Sequence, residues 1–505
     1  MDRKKRKAII NQMEEQQTQK ELTKANSSFK WAALGEVLAK IMSPLMNIFL
    51  ARLLSPSVFG IVASVSIVIS FAEMVCDGGF AKYLLQKHFV SETEKKRTFQ
   101  TALTSSLSIS LLLFATIVIW RDFFCSLVNA EGYGTLLILA AVQIPLYAAV
   151  SILYTNFRRE YQYKKLTLIR VIAIVLQIGT AIGLAAAHLG EYSIIVASLV
   201  AILTRLILLL FFSKFRFGFG FSGTVFLAIF SSSFLFLIEA VISWFNGSVD
   251  VFILGKLMSQ TDAGIFKNAL NTTLGIITLF DSIFTPVVTR LLSELKDDNV
   301  EFNKTILYYQ KSISFLLAPV AVGMFCFRDF LSYAFFGAGW DGAALVIGAF
   351  ALSSCFKLAT GNFVISAFNA KEMPLMNVIS DFSCSVAILV AVFLFSSKGF
   401  TAYTISRSIA MVVPSIVSLF LGQKKLGISA ATILKNLLFP IFLSLLMALF
   451  DLAFQSFSSS IWWNLLLIGS SAVLYFLLMR FFVPNDLHVL FSMFVRTGGT
   501  KEKGQ

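Results

Sequence analysis

What most constrains this chain is its succession of apolar runs, each long enough to cross a bilayer. The hydrocarbon core takes roughly 20 apolar residues per helix. On that ruler spans fall near 30–50, 58–80, 99–120, 133–155, 166–188, 191–212, 224–250, 262–288, 305–327, 342–368, 374–396, 400–420, 432–454 and 460–482. Of all residues 57% are hydrophobic and 14% charged, whereas soluble domains carry roughly a quarter charged residues. So apolar a surface needs lipid as its solvent. The reading is an all-α integral membrane protein with about fourteen transmembrane helices.

The distribution of basic residues tests that count. The formal net charge is +14, which on a soluble domain would suggest nucleic acid. Here the lysines and arginines sit in short segments between spans and at the N-terminus, and no soluble domain is present to form a nucleic-acid face. The polar, basic stretch 1–27 has neither an apolar core nor a small-residue cleavage site, so it reads as a cytoplasmic tail and not a signal peptide. Alternate loops continue its sign: Lys87 to Arg97, Arg158 to Lys165, Lys214 and Arg216, Arg290 to Lys304, Lys371, Lys424 and Lys425, then the tail at 485–505. The intervening loops carry about one basic residue each (Arg52, Arg121, Lys256, Arg328, Lys398). This is the positive-inside pattern with both termini cytoplasmic.

The chain also repeats itself. Leu50-Ala-Arg-Leu-Leu-Ser55 with Phe59-Gly60-Ile61 is echoed by Leu254-Gly-Lys-Leu-Met-Ser259 with Ala263-Gly264-Ile265, at an offset of 204 residues. Asp77 and Phe80 match Asp281 and Phe284 in the same register. Glu36, Ser43 and Asn47 match Glu239, Asn246 and Asp250 at 203. Apolar bias alone would not place Ser, Gly and Asp at matching positions. The expected organisation is a six-helix repeat at 28–213, a second at 214–420, and a helix pair at 421–484. Six is even, so both repeats start on the same membrane side, as in parallel-repeat transporters. The fold class is thus two pseudo-symmetric six-helix lobes around a central cavity, plus a C-terminal helix pair.

Polar residues at helical spacing mark surfaces turned away from lipid. Glu36, Lys40, Ser43 and Asn47 share one face of the first helix, and Ser66, Ser70, Glu73 and Asp77 one face of the second. Glu239, Ser243, Asn246 and Asp250 do the same on the seventh. A charge at membrane depth costs roughly 2.5–3.5 kcal/mol on insertion scales, so such groups pair or line a cavity. Glu36, Asp77, Asp250 and Asp281 are the candidate coupling or gating carboxylates. Pairing is the plain alternative, since Glu36 and Lys40 stand one turn apart. Lys40, Lys267 and Lys357, with Arg407 and Asn47, are the candidate substrate-binding residues, because surplus buried positive charge suits a phosphate or pyrophosphate. The plain alternative is that each cation has a carboxylate partner or reaches an interface, as Arg205 can. Pro44, Pro145, Pro319, Pro414 and Pro440 lie inside apolar runs and are expected to kink them.

Other chemistry is missing. No GxxxxGK phosphate loop is present, and the three histidines (His88, His188, His488) are too scattered to hold a metal. The five cysteines lack CxxC spacing and sit mostly in apolar runs, as small hydrophobes do. We expect no cofactor, no metal and no disulfide. No inter-span segment is long enough for the outer domain that a membrane glycan polymerase or ligase uses, which leaves a transporter ahead of an enzyme.

Several segments resemble bacterial polysaccharide exporters of the Wzx type. Leu50-Ala-Arg-Leu-Leu-Ser-Pro-Ser-Val-Phe-Gly-Ile-Val-Ala63 is similar to their junction of helices 1 and 2, and Asp77-Gly-Gly-Phe-Ala81 with Leu85-Gln86 to the close of helix 2. Asp250, Leu254-Gly-Lys-Leu257 and Gly264-Ile-Phe266 resemble the start of their second half. Pro286 with Leu291-Leu292 resembles the end of their helix 8. Phe336-Gly337, Trp340 and Ala343-Ala344 resemble their segment before helix 10. The resemblance covers about residues 28–420 and implies membership of the multidrug/oligosaccharidyl-lipid/polysaccharide exporter superfamily. It implies alternating access and a lipid-linked oligosaccharide substrate carried on undecaprenyl pyrophosphate, moved across the bacterial cytoplasmic (inner) membrane. Cavity cations would hold the pyrophosphate, for which Lys40, Lys267 and Lys357 are the matching regions here. Membrane lipid, a coupling ion (H+ or Na+) and a polysaccharide polymerase are the implied partners. A cation-coupled drug or small-molecule exporter of the same superfamily is the alternative.

Overall fold

The computed structural model describes residues 31, 35–213, 218–458 and 460–484, and every regular element among them is helical. The two tails, with Lys214 and Arg216, lie outside the described residues. The spanning helices are α1 (35–51), α2 (Pro56–Asp77, resuming as Phe80–Gln86), α3 (Glu92–Ile119), α4 (Gly134–Ala141 and Gln143–Arg159), α5 (Tyr163–Ala186), α6 (Glu191–Phe212) and α7 (Gly223–Leu257). They continue as α8 (Gln260–Glu294), α9 (Asn299–Cys326), α10 (Ala343–Ala370), α11 (Pro374–Phe395), α12 (Phe400–Ala410 and Val413–Leu426), α13 (Ala430–Gln455) and α14 (Ile461–Phe482). Thirteen have the length and apolarity to cross a membrane, and α1 completes the expected set. Large apolar side chains such as Phe211, Phe393 and Phe481 point outward, as a lipid-facing belt requires.

Local chemistry sets where these helices begin and break. Ser91 accepts from the Glu94 amide (3.1 Å) and Glu94 accepts from the Val90 amide (3.0 Å), a reciprocal cap that starts α3 ahead of its apolar run. Ser259, Asp298 and Ser429 cap α8, α9 and α13 in the same way. α7 and α8 each run for 35 residues, beyond the apolar windows at 224–250 and 262–288, because hydropathy reports the greasy middle of a helix and caps fix its ends.

The prolines act at two of the breaks. Proline lacks an N–H, and its ring clashes with the carbonyl four residues earlier. Those positions are Ala141 for Pro145 and Ala410 for Pro414, each the last residue of the first segment of α4 and α12. Pro319 and Pro440 are carried within α9 and α13. Gly78 and Gly79, at φ 43° and 80°, interrupt α2. Gly79 also lies against α7, where an added Cβ would meet Ser233 Cβ at 2.9 Å.

The chain forms two compact units: residues 1–46 with 64–244, and residues 47–63 with 245–505. The divisions fall inside α1, α2 and α7. In the first unit Phe80, Leu84, Phe99 and Ile152 form one buried cluster, and Leu153, Phe157, Ile169 and Leu209 another. In the second, Phe266 packs edge-on against Phe350 and Phe400, and Phe315, Leu443, Met447 and Tyr475 join α9, α13 and α14.

Two glycines 204 residues apart make a reciprocal close approach within the second unit. A Cβ on Gly60 would lie 1.8 Å from the Gln260 carbonyl oxygen, and one on Gly264 would lie 1.9 Å from the Pro56 carbonyl oxygen. Pro56 and Gln260 are themselves 204 residues apart, so α2 and α8 meet here at matching positions.

Candidate functional site

A buried charged cluster of the second unit is built on α7, α8, α10, α11 and α12. Asp250 on α7 is 1% exposed. It accepts from Arg407 Nε (2.6 Å) and Nη2 (3.1 Å) and from the Tyr403 hydroxyl (2.8 Å), both on α12. Arg407, 5% exposed, also donates to the Asn246 carbonyl (3.1 Å). The Asn246 side chain bridges to α11, donating to the Asp381 carbonyl (3.1 Å) and accepting from Ser385 Oγ (2.8 Å). Two candidates placed by sequence in different roles, Arg407 for substrate and Asp250 for coupling, are thus one buried ion pair, which serves three helices.

The two lysines beside this pair are differently placed. Lys267 on α8 lies within the fields of both Asp250 and Arg407 and donates to the Gly247 carbonyl (2.7 Å). That bond uses one of its three N–H groups. Lys357 stands halfway along the 28-residue α10. It makes no hydrogen bond or ion pair with another described residue. Cys384 on α11 faces Arg407, Lys357, Asp381 and Asp250 together, which groups them about one spot. Among these described groups three cations stand against two carboxylates, and Lys357 is the cation whose three N–H donors are all unused.

Lys40 belongs to the first unit with Glu36. Arg170 of α5 donates to Glu36 Oε2 (2.8 Å), while Lys40 Nζ lies 4.0 Å from Oε1. One carboxylate thus faces two cations. Arg170 escaped the sequence reading because it sits only seven residues inside α5, next to a basic loop. Asn47 is half-buried on α1.

The remaining two carboxylates are tied in parallel ways. Asp77 accepts from Ser151 of α4 (2.7 Å). Asp281 accepts from Asn362 of α10 (3.1 Å) and from Thr285 one turn along α8 (2.6 Å), at the edge of a pocket that Phe284 and Ser366 also line. α2 is therefore anchored on α4, and α8 on α10, by one carboxylate each.

The motifs at 50–63 and 336–344 meet in the second unit. Arg52 Nη2 donates to the carbonyls of Tyr333 (2.9 Å) and Ala334 (2.6 Å), closing the end of the short helix Arg328–Phe336. Trp340 stacks on Phe336 and meets Phe59 edge-on, while its indole donates to the Ala51 carbonyl (3.3 Å). A further echo went unread in the sequence. Arg121-Asp-Phe and Gly132-Tyr133 recur as Arg328-Asp-Phe and Gly339-Trp340 at an offset of 207, each opening a short helix before α4 or α10. A search at a slightly different register would have found it.

Fourteen helices, thirteen of them long and apolar enough to cross a bilayer, with buried charged clusters between them, define a polytopic membrane protein. The chain is similar to the lipid II flippase MurJ in an inward closed conformation, with a TM-score of 0.72, 17% identity, and coverage of 90% of this chain and 99% of that one. It is also similar to an inward-facing MATE family multidrug resistance transporter, with a TM-score of 0.56, 16% identity, and coverage of 76% and 94%. At those identities the likeness is one of fold. Residues 49–345 match the polysaccharide biosynthesis protein family, and the chain belongs to it.

Curated relatives include the succinoglycan biosynthesis transport protein ExoT of Rhizobium meliloti (strain 1021), 23% identical over 62% of this chain and 63% of ExoT. The match thus spans less than two thirds of ExoT. Another is the lipopolysaccharide biosynthesis protein WzxC of Escherichia coli (strain K12), 21% identical over 84% of this chain and 86% of WzxC. The resemblance to Wzx-type exporters read from the sequence is borne out.

Proposed function

We propose that the chain is a flippase that carries an undecaprenyl-pyrophosphate-linked oligosaccharide from the cytoplasmic to the outer leaflet, for O-antigen, capsule or exopolysaccharide assembly. Kinship with ExoT and WzxC supports the substrate class, and the fold shared with MurJ supports a lipid-linked one. The observation that carries the reading is that the N–H donors of Lys357 are unused among the described residues. Arg407 is neutralised by Asp250, so the open ammonium beside that pair is the group offered to an anion. A pyrophosphate is a dianionic acceptor with many oxygens and suits Lys357 with the remaining N–H groups of Lys267.

The physical demand fits. A sugar headgroup loses several kcal/mol per unsatisfied polar group in hydrocarbon, whereas its polyprenyl tail loses nothing there. Alternating access of two six-helix repeats lets the head cross while the tail stays in lipid. In this scheme both termini are cytoplasmic, and a polymerase receives the product on the outer face.

The test is the lipid pool of a deletion strain. Complete repeat units, unpolymerised and reachable only from the cytoplasmic side, are the expected accumulation. Repeat units that build up facing outward would place the defect at polymerisation. An unchanged lipid pool with raised drug sensitivity would favour a drug exporter.

A further inference from the structure

The C-terminal helix pair, outside the repeat, holds a carboxylate that nothing above uses. Asp451 on α13 is 0% exposed, four residues before the helix ends. Neither of its oxygens has a hydrogen-bond partner among the described residues. Buried carboxylates in membrane proteins are paired or bind something, so each group around it has to be accounted for.

From α14, the Ser471 hydroxyl is within donor reach of the carboxylate, though in the observed geometry it is directed to the Ile468 carbonyl (3.1 Å). The other buried polar groups of α14, Asn464 and Tyr475, carry no positive charge. From α9 comes Cys326, whose carbonyl accepts from Gln455 Nε2 (3.4 Å). Arg328, just beyond α9, faces Cys326. It is taken up by Asp329 at 3.7 Å and by the Phe325 ring at 4.8 Å. Two helices also end at this corner, α9 at Cys326 and α13 at Gln455. Their terminal carbonyls carry the negative end of each helix dipole and favour a cation. An unpaired carboxylate and two helix C-termini therefore converge, and among the described residues no cationic side chain pairs with that carboxylate.

We propose that Asp451 is a cation-binding site of the α9–α13–α14 bundle, filled by a proton or by Na+. Its oxygens supply the charge, and Ser471 Oγ is the neutral oxygen at hand. Hard oxygen donors of this kind suit H+ or an alkali cation rather than a transition metal. The site stands apart from the Lys357 cluster and does not depend on what the protein transports.

Binding is read without transport, so its failure leaves the flippase reading untouched. Full-length protein purified in detergent is unfolded thermally while NaCl replaces choline chloride at constant ionic strength, and separately across pH without Na+. If Na+ fills the site, it raises the wild-type midpoint saturably and leaves Asp451→Asn unmoved. If a proton fills it, Na+ has no effect and the wild type gains on Asp451→Asn as pH falls. Ser471→Ala keeps the carboxylate and shifts the midpoint of whichever titration responds. Asp122→Asn, at an exposed carboxylate, follows the wild type in both. An Asp451→Asn protein that tracks the wild type in both titrations overturns the proposal.

Discussion

Replacing Arg407 with methionine asks whether that guanidinium belongs to the fold or to the substrate. Three bonds end on Asp250: two from Arg407 at 2.6 and 3.1 Å, and one from Tyr403 at 2.8 Å. Both members of the pair are buried. Arg407→Met leaves the carboxylate with one donor and no counter-charge. Removing one member of a buried pair destabilises by about 3–5 kcal/mol, because the other is left charged and dry. Polar contacts inside membrane proteins average only about 0.6 kcal/mol in double-mutant cycles. The larger figure follows from the orphaned charge and not from the lost hydrogen bonds.

Two further variants separate the contributions. Tyr403→Phe keeps the pair and removes one bond to a charged acceptor, a loss of about 1.5–3 kcal/mol. The double variant Arg407→Met/Asp250→Leu leaves no orphan and should recover most of the single-variant loss, since apolar replacement of a whole buried pair is often neutral. The assay is reversible unfolding in mixed micelles for all four proteins, with export complementation run in parallel. A double variant no more stable than Arg407→Met alone would refute the pairing argument. An Arg407→Met protein as stable as wild type yet unable to export would return Arg407 to the substrate.

The glycine crossing makes a second prediction. Gly60→Ala and Gly264→Ala each press a methyl onto backbone at under 2 Å, so each should destabilise by about 3 kcal/mol or more, the upper end of overpacking, and thermal unfolding of the two variants should give similar losses. A midpoint unchanged in either would mean that the helices are not in contact there. For the candidate site, Lys357→Ala should lower export by roughly ten- to a hundred-fold, the equivalent of one charge-assisted bond of about 1.5–3 kcal/mol, with insertion and unfolding unchanged. Lys40→Ala should also lower export if its site takes part. Normal export from both would remove these lysines from the substrate path.

How much of this was legible in the sequence depends on the range of each interaction. Span count was readable because it rests on a local pattern, apolar length. Helix ends were read less well, since a cap such as Ser91 with Glu94 extends α3 past its apolar run. Partnerships were hardest. Asp250 and Arg407 are 157 residues apart, and Glu36 and Arg170 are 134 apart. Spacing along one helix can show that a charge lies off the lipid face, but not which distant helix answers it. That is why Glu36 was matched to Lys40 alone, and why Arg407 was grouped with the lysines.

The same contrast runs through the matching positions. Backbone-level devices recur: Gly60 and Gly264 cross reciprocally, and Asp77 and Asp281 tie α2 to α4 and α8 to α10. Some charged side chains recur in position but not in contact. Arg52 closes the helix Arg328–Phe336 through two carbonyls, while its equivalent Lys256 lies 5.7 Å over the Phe252 ring. A guanidinium can present two donors in a fixed fork, and a lysine cannot. Close backbone crossings and charged side chains are thus under different constraints, and Lys267, Lys357 and Arg407 gather on α8, α10 and α12. These charges are therefore where the specificity of this transporter-type fold should be sought, and Lys357, the cation that its own fold does not use, comes first among them.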